Sequence, residues 1–183
     1  MRKVSLGALL LLFCGTFAAA QKVELGAGWN YLHIDADALP EQNTVPRGFF
    51  IDGTYYFAKI IGLTGDFEYN KKTFSGDIAG DQIRAFSFHG GPRVKARMGR
   101  LEPFAHVLFG VSNLDYISTT GLGTSQNAFS MKLGGGLDVA LIPHFAVRLG
   151  EFNYYYTRFP STFTEGTKDS QNNVTWSVGV VIR

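Results

Sequence analysis

From Phe129 to Leu141 the chain reads FSMKLGGGLDVAL, and its apolar and polar positions alternate. Phe129, Met131, Leu133, Leu137 and Val139 fall on one side together with Gly135. Ser130, Lys132, Gly134, Gly136 and Asp138 fall on the other. Side chains of a strand point alternately to its two faces, so the segment is a two-faced strand with both charges on the glycine side. The same period of two recurs along the chain. In KVELGAGWNYL, Val23, Leu25, Ala27, Trp29 and Tyr31 oppose Glu24, Gly26, Gly28 and Asn30. Phe49, Ile51, Tyr55 and Phe57 oppose Asp52 and Thr54, and Leu63, Phe67 and Tyr69 oppose Thr64, Asp66 and Glu68. Phe86, Phe88 and Val94 oppose Ser87, His89, Gly91 and Arg93. In PFAHVLFGVS, Ala105, Val107, Phe109 and Val111 oppose His106, Gly110 and Ser112, but Phe104 and Leu108 fall on the polar side. Val174, Trp176, Val178, Val180 and Ile182 oppose Thr175, Ser177 and Gly179.

One segment changes phase. In FAVRLGEFNYYYTRF, Val147 and Leu149 are apolar at odd positions, whereas Phe152, Tyr154 and Tyr156 are apolar at even ones. A single extra residue produces that slip, which predicts a β-bulge near Gly150-Glu151. The chain thus contains eight alternating segments. Their connections alternate in length. Short turns lie around Lys59-Ile60-Ile61, in KARMGRLE and in LIPH, and long polar connections span Asp35–Arg47, Asn70–Asp81, Asn113–Asn127 and Pro160–Asn172. This grammar predicts an all-β fold, an eight-stranded antiparallel up-and-down barrel.

Alternation leaves open which face is wet, since a soluble ligand carrier would hide the apolar face inside. Three features place that face outside, against lipid. The polar face is crowded with Gly, Ser and Thr, which suits a narrow interior better than a solvated exterior. The apolar face carries large Phe, Tyr, Trp and Leu side chains that would overfill a small barrel. Aromatics gather toward strand ends, at Trp29, Tyr31, Tyr69, Tyr154 to Tyr156 and Trp176, as membrane interfaces favour. The segments also approach the length of about 9–11 residues with which a tilted strand crosses a bilayer. The prediction is therefore a transmembrane β-barrel, closed so that every backbone amide is paired and no edge is left in lipid.

Charge sharpens this picture. A Lys or Arg on the lipid face near midplane would cost roughly 2–4 kcal/mol. Glu24, Asp66, Glu68, Arg93, Lys132, Asp138 and Arg148 all avoid that face. Inside, they need partners, because an isolated buried charge is very costly. Threading the strands places Glu24, Arg93, Asp138 and Arg148 toward the short-turn end and Asp66, Glu68, Lys132 and Glu151 nearer the middle. We expect a lumenal salt-bridge network of these eight residues, with Arg93 and Arg148 meeting Glu24 and Asp138, that plugs the barrel.

The 183 residues divide into two parts by composition. Met1-Arg2-Lys3 is a positive start, Leu6 to Phe17 an apolar stretch too short to span a bilayer, and Ala18-Ala19-Ala20 a site for signal peptidase. Residues 1–20 are read as a signal peptide and 21–183 as the barrel domain. The sequence holds 17 basic and 15 acidic residues, and loss of Arg2 and Lys3 leaves 15 of each. The mature chain is then neutral and lacks the single cysteine, so neither nucleic-acid binding nor disulfides are indicated.

In these features the chain resembles the eight-stranded outer-membrane barrel family, the OmpA-like transmembrane domain and its small stand-alone relatives. The resemblance is carried by ELGAGWNY, FHGGPR, PFAHVLFG, LGGGLDV and TWSVGVVIR, in order over residues 21–183. It implies location in the cell outer membrane, termini and short turns in the periplasm, long loops outside the cell, and insertion by the barrel-assembly machinery. Ser177, Gly179 and Ile182 fit the spacing of the family's last-strand insertion signal, whose final aromatic would fall one residue past Arg183. Outer-membrane lipid is the implied partner, and no extracellular ligand is named by the loops. Some relatives modify lipids, which would require a nucleophile, a base and an orienting acid close together. Ser87 and His89 share the polar face, with Glu68 or Lys132 within approach, but that face turns away from lipid. We therefore expect no catalytic residues and a structural or surface-interaction role; the alternative is a narrow solute or ion pore, which the glycine-rich interior permits and the charge network opposes, ahead of a lipid A-modifying enzyme or a soluble carrier. His33, His89, His106 and His144 show no repeated metal spacing, and no cofactor is expected.

Overall fold

The computed structural model describes residues 23–33, 44–73, 82–117, 123–158 and 170–183. Residues 1–22, which include the expected signal peptide, lie outside the described residues, as do the central parts of the long connections. Eight strands follow one another: β1 (Val23–His33), β2 (Thr44–Tyr56), β3 (Ile61–Thr73), β4 (Gln82–Lys95), β5 (Leu101–Ile117), β6 (Gly123–Ile142), β7 (Phe145–Arg158) and β8 (Ser170–Ile182). Each pairs antiparallel with its sequence neighbours, and β1 pairs with β8 to close the barrel. The fold class read from the alternation is therefore the observed one.

Orientation is decided by exposure. Trp29 is 68 % and Leu133 52 % exposed on the outer wall, while Glu24, Lys132 and Asp138 are at 2 % or less inside. Phe67 and Val178 are half-exposed on the same outer wall. A soluble barrel would show the opposite sign. The outer wall is an apolar band with rings packed across strands: Phe67 and Phe88 lie 4.7 Å apart, Phe49 and Tyr69 5.6 Å, and Tyr31 and Trp176 6.0 Å. Such a surface is stable only against hydrocarbon.

The expected bulge is present. On β7 the register shifts between Arg148 and Glu151 against β8, and opposite Leu137 and Asp138 against β6. Without the extra residue, positions three apart would point to opposite faces. With it, Arg148 and Glu151 both turn inward and lie 2.7 Å apart.

The strands run further than the alternation indicated. Asn70 to Thr73, Asn113 to Ile117 and Gly123 to Asn127 belong to strands, not to the expected loops. In Asn70–Thr73 and Gly123–Asn127 polar residues occupy both faces, and in Asn113–Ile117 the polar Asn113 and Asp115 take the outward positions, so the period of two is lost although the ladder continues. The outer face of this extension is held by Asn113, which donates to Ser125 at 3.0 Å and Asn127 at 2.8 Å.

Candidate functional site

The interior is the chemically distinctive part of the molecule. It is filled by polar side chains from all eight strands, and the glycines of the polar face make room for them. A Cβ on Gly26 would stand 2.1 Å from Asp52 Oδ1, and one on Gly136 2.8 Å from the Phe104 ring. Those two carboxylate and ring positions exist only because no side chain is present opposite them. Among the described residues, seven carboxylates and four Lys or Arg side chains are buried. Arg97 and Arg183 add two more cations at the short-turn mouth, which brings the interior close to neutrality.

At the short-turn end, Lys95 Nζ donates to Glu24 at 2.6 Å and to Asp138 at 2.8 Å. Glu24 also accepts from Tyr56 Oη at 3.1 Å and from Arg97 at 3.1 Å. Arg183 closes the mouth on Glu102 at 2.6 Å. One layer deeper, two guanidiniums share Asp52: Arg93 donates to Oδ2 at 2.7 Å and Arg148 to Oδ1 at 2.9 Å. Arg148 further donates to Asp138 at 2.9 Å and Glu151 at 2.7 Å. The Phe104 ring lies beneath both guanidiniums, 4.7 Å from Arg93 and 4.6 Å from Arg148. This explains why Phe104 breaks the alternation: its face accepts cations inside the barrel rather than lipid outside it.

Toward the long-connection end the chemistry changes. His106 bonds Asn153 at 2.7 Å, and Asn153 donates to Glu151 at 2.9 Å. Above them, Lys132 alone serves two carboxylates, Asp66 at 2.5 Å and Glu68 at 2.7 Å. Around it is a hydroxyl cluster. His89 Nε2 bonds Ser130 at 2.8 Å, Ser112 donates to Ser130 at 2.9 Å, and Ser112 also bonds the Tyr155 hydroxyl.

Of the eight residues expected in the network, the structure brings Arg148 together with Asp138 and Glu151, and Lys132 with Asp66 and Glu68. Arg93 does not meet Glu24 or Asp138; it meets Asp52. Glu24 meets Lys95 and Arg97 instead. Lys95, Asp52 and Glu102 were not assigned to the network by the sequence. Lys95 and Glu102 lie in KARMGRLE, which reads as a turn, yet the strands extend far enough to turn both inward, 1 % and 2 % exposed. Tyr155 likewise leaves the interface aromatics and faces inward at 6 % exposure.

Ser87 and His89 both face the interior, and His89 contacts Ser130 rather than Ser87. With Asp66 Oδ1 3.3 Å from its Nδ1, the trio outlines a hydroxyl, imidazole and carboxylate. However, Ser130 is fully buried, and His89 Nδ1 makes no hydrogen bond. The trio faces neither lipid nor open solvent. Among the described residues no group of three His, Cys, Asp or Glu is arranged to hold a metal ion.

The spokes cross the lumen. Arg148 on β7 reaches Asp52 on β2, Lys132 on β6 reaches Asp66 on β3, and Lys95 on β4 reaches Glu24 on β1. Each joins strands that are not neighbours, so each ties opposite walls together.

Comparison with known proteins agrees with this architecture. Residues 4–183 match the family model described as outer membrane protein beta-barrel domain. No curated protein matches the sequence. Among solved structures, neisserial surface protein A superposes with a TM-score of 0.67 at 12 % identity, covering 87 % of this chain and 96 % of that one. Ail, the attachment invasion locus protein of Yersinia pestis, gives 0.54 at 17 % identity, covering 88 % and 95 %. OprG of Pseudomonas aeruginosa gives 0.51 at 12 % identity, covering 88 % and 94 %. At these identities the likeness is one of fold. The match over nearly the whole chain shows more: the protein is an outer-membrane β-barrel and belongs to the outer membrane protein beta-barrel domain family.

Proposed function

We propose that this barrel is a closed structural platform that presents its long connections at the cell surface, and that it works by surface interaction rather than by conduction or catalysis. The observation that carries the reading is the Arg148 guanidinium, which is 1 % exposed and bonds Asp52, Asp138 and Glu151 while stacked on Phe104. A cross-lumen knot of that kind obstructs a path for solute, because passage would require several charge-assisted bonds to break together. The lumenal residues Glu24, Asp66, Glu68, Arg93, Lys132, Asp138, Arg148 and Glu151 then act as an internal brace. Burial of Ser87, His89 and Ser130 away from the lipid wall supports a non-enzymatic role. Surface attachment is the role named for Ail, one of the folds this barrel matches. Here it would fall to residues 34–43, 74–81, 118–122 and 159–169, which lie outside the described residues. Insertion by the barrel-assembly machinery follows from the same reading.

Planar-bilayer recording tests the proposal. The native barrel is expected to give no defined open level, and a variant with Arg148 and Lys132 both replaced by Ser is expected to conduct. A stable, ion-selective level from the native protein would overturn the closed platform in favour of a narrow pore. Unchanged lipid A chemistry in cells carrying Ser130→Ala supports the non-enzymatic part; loss of a modified lipid species on that substitution would refute it.

A further inference from the structure

On the outer wall, cations are confined to the strand ends, but they are not spread evenly around the rim. Register places Arg47 of β2 opposite Lys71 of β3, and Lys71 opposite Arg84 of β4. Three basic residues therefore stand in one cross-strand row on three adjacent strands. Lys71 and Arg84 share the outward parity of Tyr69 and Phe86, and both are half-exposed. Directly opposed residues lie about 4.5–5.5 Å apart, and like charges in that relation destabilise a sheet. Among the described residues neither Lys71 nor Arg84 bonds a carboxylate, and Asp115, opposite Arg84 on β5, forms no salt bridge with it. Among the described residues the Arg84 guanidinium bonds Gln82 Oε1 at 3.3 Å, and its buried Nε has no acceptor.

The height of the row matters as much as its charge. It lies one step beyond the aromatic row formed by Phe49, Tyr69 and Phe86, which are paired through the same registers. Lys71 is also ten residues from Ile61, where β3 begins at the short-turn end. At about 3.3 Å per residue and the usual barrel tilt, that distance projects to about 25 Å, the height of an outward apolar band. The cations thus stand where hydrocarbon ends and headgroups begin, on the side of the membrane facing the long connections. At the comparable outer edge of β7 and β8 the outward pair Tyr156 and Asn172 is uncharged, and the next outward residue of β7, Arg158, stands opposite Ser170 rather than beside another cation.

We propose that the outer wall of β2 to β4 is a binding site for the phosphorylated headgroup of an outer-leaflet glycolipid. Lys71 and Arg84 take the phosphate oxygens, Arg47 lies in the same row, and the aromatic row beneath packs on the acyl chains near the headgroup. The anion removes the like-charge repulsion of the row. Arginine and lysine suit this task through charge-assisted bonds to phosphate. The inference needs only the membrane placement and is independent of whether the lumen conducts.

The test uses the full folded barrel in detergent, titrated with bisphosphorylated lipid A, dephosphorylated lipid A, or inorganic phosphate, with thermal unfolding followed by gel mobility. Bisphosphorylated lipid A is expected to raise the unfolding temperature of the native protein, and the other two are not. Its apparent affinity is expected to fall about ten-fold in Lys71→Gln/Arg84→Gln, the loss of roughly one charge-assisted phosphate contact. Arg158→Gln, on β7, is expected to leave it unchanged. Equal affinity for the dephosphorylated lipid, or equal loss in the Arg158 variant, would overturn the site. Competition by inorganic phosphate at equal concentration would identify a free-anion site and overturn the lipid assignment. If the double variant fails to fold, each single variant replaces it, with a loss of about three-fold expected and no loss fatal to the proposal.

Discussion

The two halves of the interior hold charge in different ways. At the short-turn end most carboxylates have two cations. Asp52 has Arg93 and Arg148, Asp138 has Lys95 and Arg148, and Glu24 has Lys95 and Arg97. Toward the long-connection end, Asp66 and Glu68 have Lys132 between them, with His89 as the nearest other base, 3.3 Å from Asp66. The first arrangement is redundant and the second is not. The burden on a side chain is therefore set less by how many bonds it makes than by what its partners retain once it is gone.

That contrast yields an order of effects that a tally of contacts would invert. Lys132→Met leaves two adjacent buried carboxylates without a formal cation. It is expected to cost the most, about 5 kcal/mol, the upper end for breaking a buried pair. Urea titration in lipid vesicles measures it. Arg148→Met removes three ion pairs but strips only Glu151 of its cation, so about 3 kcal/mol is expected from the same titration. A larger loss for Arg148 than for Lys132 would show that the short-turn network acts as one unit. Arg93→Met leaves Asp52 with Arg148 and is expected to cost about 2 kcal/mol. Tyr155→Phe deletes a hydroxyl from a neutral cluster, and about 1 kcal/mol is expected. The sharpest form of the comparison is a rescue. Neutralising Asp66 and Glu68 to Asn and Gln in the Lys132→Met background should recover most of the lost stability, because the cost lies in the stranded charges.

The amount that could be read from the chain divides along physical lines. Alternation is local, so the strands, the inward parity of Lys132 and Asp138, and the slip at Gly150-Glu151 were all legible. Pairing across the lumen is not local. It depends on how far each strand is staggered relative to one three places away, which no single segment encodes. Hence the sequence pairs Arg93 with Glu24 and Asp138, whereas Asp52 is the carboxylate it meets. Lys95 and Glu102 were lost for another reason: turn-like composition around Met98-Gly99 masked the strand ends on either side. Gly99, with a φ of 66°, is the residue that makes the tight reversal possible. The misfit at Phe104 was visible as a misfit. Its meaning required two guanidiniums arriving from β4 and β7.

The bulge in β7 carries a consequence for how this chain can change. On one side of it the inward residues are Ala146 and Arg148; beyond it they are Glu151, Asn153 and Tyr155. The strand therefore keeps two separate countings of in and out, joined by one spare residue. Deleting Gly150 would merge them into one unbroken alternation, with each side chain on its present face. Flattening the bulge with every residue kept would instead swing Phe152 and Tyr154 into the crowded centre and hand Asn153 to acyl chains. For this stretch the number of residues is as much a part of the message as their identity.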